Sequence, residues 1–167
     1  MVGYSTGNAR IYYTTGSLYT YCYGHNSSII DIEEIPYNGW ITLDSSGKAI
    51  RWSSYGSQQY TWNFSAYPTD MSVASSGGYY WVGFNFGSYV LEYNALTNSN
   101  TTTKIYYPPT YTYFKNIQYP SGHSYLHAAT NTTYVYSYDT YTGNYSSSYL
   151  YTYYSGIAMT QVPGGYK

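Results

Sequence analysis

The chain has 167 residues, six Lys/Arg against seven Asp/Glu, a net charge of −1, and 30 tyrosines. Its scattered basic residues leave no electrostatic footprint for nucleic acid. No apolar run is long enough for a membrane-spanning helix, and the single Cys22 excludes an intrachain disulfide framework. With so little charge and few aliphatic residues, tyrosine must supply much of any buried surface through a large ring whose hydroxyl needs a partner. Abundant Tyr and Thr, set against scarce straight-chain helix formers, predict an all-β chain.

The opening residues Met1-Val2-Gly3-Tyr4-Ser5 hold no basic region followed by an apolar core, so no signal peptide is visible in them. A Gly7-Asn8 turn then leads into Arg10-Ile11-Tyr12-Tyr13, a Tyr/Thr-rich strand over 18–23 and a more aliphatic strand over 29–35 that stops at Pro36-Tyr37-Asn38-Gly39. The pattern returns with Trp40, the Ser45-Ser46-Gly47 turn, Ala49-Ile50-Arg51-Trp52, strands over 60–64 and 71–74, and Ser75-Ser76-Gly77-Gly78. It returns again with Trp81, Phe86-Gly87-Ser88, Val90-Leu91-Glu92-Tyr93, strands over 104–107 and 114–119, and Pro120-Ser121-Gly122. The last copy runs from Leu126 through Asn131-Thr132-Thr133, Val135-Tyr136-Ser137-Tyr138 and an Asp139-to-Gly143 turn to strands over 149–154 and 157–162.

A gap-free alignment puts Tyr13, Trp52, Tyr93 and Tyr138 at one strand position, with periods of 39, 41 and 45. Four short strands per forty-odd residues is the arithmetic of a β-propeller blade. The fold expected is a small all-β propeller of four blades in one domain, with repeats at about 1–38, 39–78, 79–122 and 123–167. The phase starts at a blade's second strand and ends on a first strand, so residues 156–163 are expected to complete the first blade and seal the ring. An eight-bladed ring from two chains, a terminal strand given to a neighbouring subunit and a two-sheet sandwich are the alternatives.

Gly78-Tyr79-Tyr80-Trp81-Val82-Gly83-Phe84-Asn85 followed by Ser88-Tyr89-Val90-Leu91-Glu92-Tyr93-Asn94 resembles a YVTN-type propeller repeat. Tyr134-Val135-Tyr136-Ser137-Tyr138-Asp139-Thr140-Tyr141-Thr142-Gly143 is similar to the third-strand-and-turn signature of many propellers. The resemblance implies a propeller of the kind found in surface-layer and other extracellular proteins.

Catalytic groups are sparse. Glu33 and Glu34 are neighbours on a strand and point to opposite faces, which excludes an acid/base pair. Asp44 and Asp139 sit in turns, where such side chains cap their own backbone. His25, His123 and His127 show no metal-ligand spacing, and there is no nucleophile elbow or phosphate loop. No catalytic residue, metal or cofactor is expected.

Aromatic surface is the stronger signal, because rigid rings with hydroxyls suit binding faces. Trp62 beside Asn63, Tyr67 and the loop residue His25 are the ligand-binding candidates, while Trp40, Trp52 and Trp81 are expected to pack between blades. The sequons at Asn26, Asn63, Asn100, Asn131 and Asn144 are candidate glycosylation sites. These features suggest a non-enzymatic surface or virion protein with structural or adhesive duty. Its partners would be protein subunits or cell-surface glycans, with self-assembly through the terminal strand, no nucleic acid and no membrane insertion. The alternatives are a propeller lectin and, third, a lyase or hydrolase on the same scaffold.

Overall fold

A computed structural model describes residues 1–97, 99–120 and 123–149. These residues form fifteen strands and no helix. The first blade holds β1 (Val2–Gly3), β2 (Ala9–Tyr12) and β3 (Leu18–Cys22), and the second holds β4 (Ile29–Ile35), β5 (Gly39–Asp44), β6 (Lys48–Trp52) and β7 (Gln58–Asn63). The third holds β8 (Asp70–Ser76), β9 (Tyr79–Asn85), β10 (Val90–Asn94) and β11 (Thr102–Tyr106). The fourth holds β12 (Phe114–Gln118), β13 (Tyr125–Thr130), β14 (Tyr134–Asp139) and β15 (Tyr145–Tyr149). Each sheet is an antiparallel meander in chain order, and β4, β8 and β12 pack side by side as the inner strands of successive blades.

Three apolar seams join the blades. Ala9, Ile11 and Cys22 of the first blade meet Ile50 and Trp52 of the second. Ile41, Leu43 and Trp62 of the second meet Met71, Val82 and Phe84 of the third. Val90 and Tyr106 of the third meet Phe114, Leu126 and Tyr138 of the fourth. Strand alternation explains the pattern, since every second side chain faces the same neighbouring blade. Two inner-strand carboxylates tie the seams together. Asp31 accepts from the Met71 amide at 2.8 Å, and Asp70 accepts from the Ile117 amide at 2.7 Å and the Asn116 side chain at 3.0 Å.

The expected strand over 29–35 stands as β4, and those over 18–23, 60–64, 71–74, 104–107 and 114–119 lie within two residues of β3, β7, β8, β11 and β12 at each end. The outer strand of the fourth blade is described over Tyr145–Tyr149, and of the strand expected over 149–154 only Tyr149 lies within the described residues. The Asp139 turn is tight, with the Gly143 amide bonded back to the Asp139 carbonyl and the Asp139 amide to the Asn144 carbonyl, so the ladder resumes at Tyr145 opposite Tyr138. The strand expected over 157–162, and the sealing of the first blade by it, lie outside the described residues.

Register corrects the anchor alignment by one residue in the first blade. A bulge separates Ile11 from Tyr12 as one separates Arg51 from Trp52 and Glu92 from Tyr93, so Tyr12 is the counterpart of Trp52. Tyr13 instead opens the following turn and is 54% exposed. Its amide bonds to Ser17 as the Ser53 amide bonds to Ser57. A gap-free alignment could not register this, because adjacent tyrosines make both choices fit.

Candidate binding face

Turns alternate between the two ends of an antiparallel sheet, so the β4–β5, β6–β7, β8–β9 and β14–β15 turns gather at one end of the propeller. A cleft of about 270 Å³ opens there beside the second blade, lined by Tyr37, Asn38, Arg51, Ser53, Tyr55 and Gln59 among others. One lip is the Pro36-to-Gly39 turn. Tyr37 stands at φ 63°, a region that costs a side-chain-bearing residue energy, and the residue is 97% exposed. The Asn38 amide bonds to the Ile35 carbonyl at 2.8 Å and its side chain to the Pro36 carbonyl at 3.1 Å. Gly39 at φ 106° closes the turn, and a Cβ there would lie 2.1 Å from the Trp52 carbonyl oxygen.

The opposite lip is the β6–β7 turn. The Ser53 hydroxyl accepts from the Tyr55 and Ser57 amides at 3.2 and 3.1 Å, and the Gly56 amide bonds to the Ser53 carbonyl at 3.0 Å. Tyr55 projects from it, 74% exposed. Below lies the buried Arg51, donating to the Ala95 carbonyl at 3.1 Å, with burial working against its charge. Two exposed phenols on tight turns beside amides, hydroxyls, a guanidinium and the apolar Leu96 suit a flat ligand that combines hydroxyls or carbonyls with an apolar face.

Two buried polar networks lie between the blades, the first reaching from Trp52 toward the end opposite the cleft. Trp52 Nε1 donates to Thr42 Oγ1 at 2.7 Å, Thr42 lies 2.6 Å from His25 Nε2, and His25 Nδ1 lies 2.8 Å from Asp44 Oδ2. Burial holds the His25 pKa below its ordinary value against the pull of Asp44. The neutral ring then donates from Nδ1 to Asp44 and accepts the Thr42 hydroxyl at Nε2. Burial opposes ionisation of Asp44, but bonds from Ser46, Lys48 and His25 outweigh it and keep the pKa low. Hydroxyl, imidazole and carboxylate stand in the order of a hydrolytic triad. Thr42 is 0% exposed, however, and already receives the Trp52 indole, so no substrate reaches it.

The second network centres on Glu92, whose Oε2 accepts from Tyr119 at 2.6 Å and Tyr106 at 3.0 Å and lies 2.8 Å from His123 Nε2. His123 also stacks on Trp81 with ring centroids 3.7 Å apart. Burial opposes the Glu92 charge, but the His123 and Tyr119 bonds prevail and lower its pKa. Both networks bridge neighbouring blades. The inner strands carry a third polar group. Burial, with Asp31 and Asp70 nearby, pushes Glu33 up to about 8, and burial first, then Asp31, raises Asp70 to about 7. Among the described residues, no group of three His, Cys, Asp or Glu is placed to hold a metal.

The structure relocates two of the ligand-binding candidates. Trp62 is 0% exposed and packs against Tyr60, Phe84 and Tyr93, so it offers no face to a sugar. His25 is buried in its network rather than open in a loop. Tyr67 is exposed between β7 and β8, at the end opposite the cleft. Asn26, Asn63, Asn100, Asn131 and Asn144 are all exposed. Asn100 accepts from the Tyr60 hydroxyl and Asn131 from the Tyr113 amide through their side-chain oxygens. As expected, Asp44 and Asp139 cap their own turns, and Trp40, Trp52 and Trp81 belong to the seams. Tyr37, Tyr55 and Arg51 were not singled out by the sequence reading, although Pro-Tyr-Asn-Gly marks an exposed turn tip.

No protein-family model and no curated protein matches the sequence. Solved structures do match in shape. The Myceliophteria thermophila Cps50 (Swd1) β-propeller domain superposes with a TM-score of 0.76 at 13% identity, covering 89% of this chain and 52% of that one. The Neurospora crassa Pan2 WD40 domain gives 0.66 at 18% identity, covering 88% and 45%. The chain is therefore an all-β propeller repeat protein, spanning about half the length of these neighbours. At such identities the likeness carries the fold and leaves the YVTN-type resemblance a matter of sequence alone.

Proposed function

We propose that the protein is a non-enzymatic binding propeller displayed on a cell or virion surface, whose tyrosine-lipped cleft engages a partner protein or a surface glycan. The observation that carries this reading is the pair Tyr37 and Tyr55, two large exposed side chains on hydrogen-bonded turns at the lips of one cleft. Tyrosine offers a large amphipathic contact area while ordering only two side-chain torsions, which is why it dominates paratopes. The surface-layer resemblance and the exposed sequons favour an extracellular setting, and self-association falls within the same reading. The burial of Thr42 and His25 weighs against the hydrolase or lyase alternative.

A glycan array probed with the labelled chain and with a Tyr37→Ser/Tyr55→Ser variant tests the cleft. Signal on one saccharide class, lost in the variant while thermal unfolding is unchanged, selects the lectin branch. A photocrosslinker at position 37 that labels surface proteins of the host, competed away by unlabelled wild type but not by the Tyr55→Ser chain, selects the protein branch. Wild type and variant behaving alike in both assays would refute the cleft as the binding site.

A further inference from the structure

We infer that the flank of the first blade docks on the flank of the fourth blade of a second copy, so that two chains share one larger ring. Each interior blade face is covered by a neighbour through an apolar seam, and two lateral faces are left over among the described residues. On the first blade, Ala9, Ile11 and Cys22 face the second blade, so alternation turns Arg10, Tyr12 and Tyr21 outward. The Arg10 guanidinium lies 4.6 Å from the Tyr4 ring centroid and 5.0 Å from that of Tyr21, and Tyr4 and Tyr12 share a hydroxyl bond of 3.0 Å. The result is a broad, bulky tyrosine–arginine platform, the composition of binding hot spots.

The other flank has the opposite relief. Leu126, Ala128, Tyr136 and Tyr138 face the third blade, which turns His127, Val135, Ser137 and Ser148 outward. This face is shallow and carries no Lys, Arg, Asp or Glu among those residues. Every residue of β15 is exposed, whereas β3, β7 and β11 each bury at least one. Bulky rings on one flank and small side chains on the other are complementary in shape.

Curvature decides between docking in one chain and docking between two. A four-bladed ring closed within one chain turns a quarter circle per blade. A propeller domain about twice as long, at a similar length per blade, turns less. The four sheets superpose over 89% of the chain on about half of such a domain. That fit holds along the whole arc only if the rotation between blades is that of the longer ring. The flanks of one chain then stay apart, and a second copy, applied head to tail, brings first blade to fourth twice and closes the circle.

Sedimentation of the full chain over a wide concentration range tests this. The expected species has twice the 19.0 kDa chain mass. Ser137→Arg on the small flank, or Arg10→Ser with Tyr21→Ser on the bulky one, should each raise the dissociation constant at least tenfold. Near-ultraviolet circular dichroism should stay native-like, and Ser148→Arg, on a fully exposed edge strand, serves where Ser137→Arg fails to fold. Mixing the two kinds of variant should restore a dimer, because one seam then joins two unaltered flanks. A 19.0 kDa species at every concentration, a dimer indifferent to both kinds of variant, or mass growing without limit would each overturn the two-chain ring.

Discussion

Replacing Glu33 by Gln should remove a pH-dependent instability built into the inner strands. Burial and the nearby Asp31 and Asp70 carboxylates raise Glu33 from 4.5 to about 8. In the unfolded chain the group ionises near 4.5, whereas in the folded chain it holds its proton until about 8. Folding therefore takes up a proton within that window, and stability falls as pH rises through it, with the full penalty present above the folded pKa. At about 1.4 kcal/mol for each pH unit, the displacement sets an upper bound of about 5 kcal/mol. Water at the partly open inner strands reduces the effect to about 2–4 kcal/mol. Glutamine is nearly the same size and carries no charge. The variant should match wild type at about pH 5 and exceed it by that amount at about pH 9, read by urea unfolding followed through tryptophan fluorescence. A stability difference between the two chains that does not change with pH would refute the reasoning.

Trp52→Phe removes the indole donor to Thr42 and should cost about 2–3 kcal/mol, lowering the calorimetric melting temperature by several degrees. Trp62→Ala should cost about 3–5 kcal/mol through the cavity it leaves in the seam, whereas Tyr55→Ser should change stability by less than about 0.5 kcal/mol, both measured in urea. Gly39→Ala forces a Cβ against the Trp52 carbonyl and should cost more than about 3 kcal/mol. Gly16→Ala, at φ 85° but with open space around it, should cost only about 1 kcal/mol in the same assay. Far-ultraviolet circular dichroism should show strand without a helical minimum, and a clear helical signal would contradict the sheet assignment.

What was legible in the sequence was local. The aliphatic run over 29–35 and the Ser-Ser-Gly and Asp turns depend on neighbours within a few positions, and their recurrence about every forty residues made strands and blades legible along the chain. The pairing of Trp40, Trp52 and Trp81 with the seams followed from the same repeat. What the sequence left open depended on contacts between distant residues. Trp62 and Tyr55 are both aromatic residues near one hairpin, yet one is sealed against Phe84 from the next blade and the other stands in water. His25 lies 17 positions from Thr42 and 19 from Asp44, and only blade packing brings the three into one network. The choice between Tyr12 and Tyr13 as the strand anchor rested on a bulge in the ladder, which adjacent identical residues cannot reveal. The cleft arose from two turns that are separate in sequence and close in space. Sequence thus set the period and the turn chemistry, because a turn is short-range and its recurrence is read along the chain. Tertiary structure decided which rings are buried and which are presented, because burial depends on what the next blade places opposite each face.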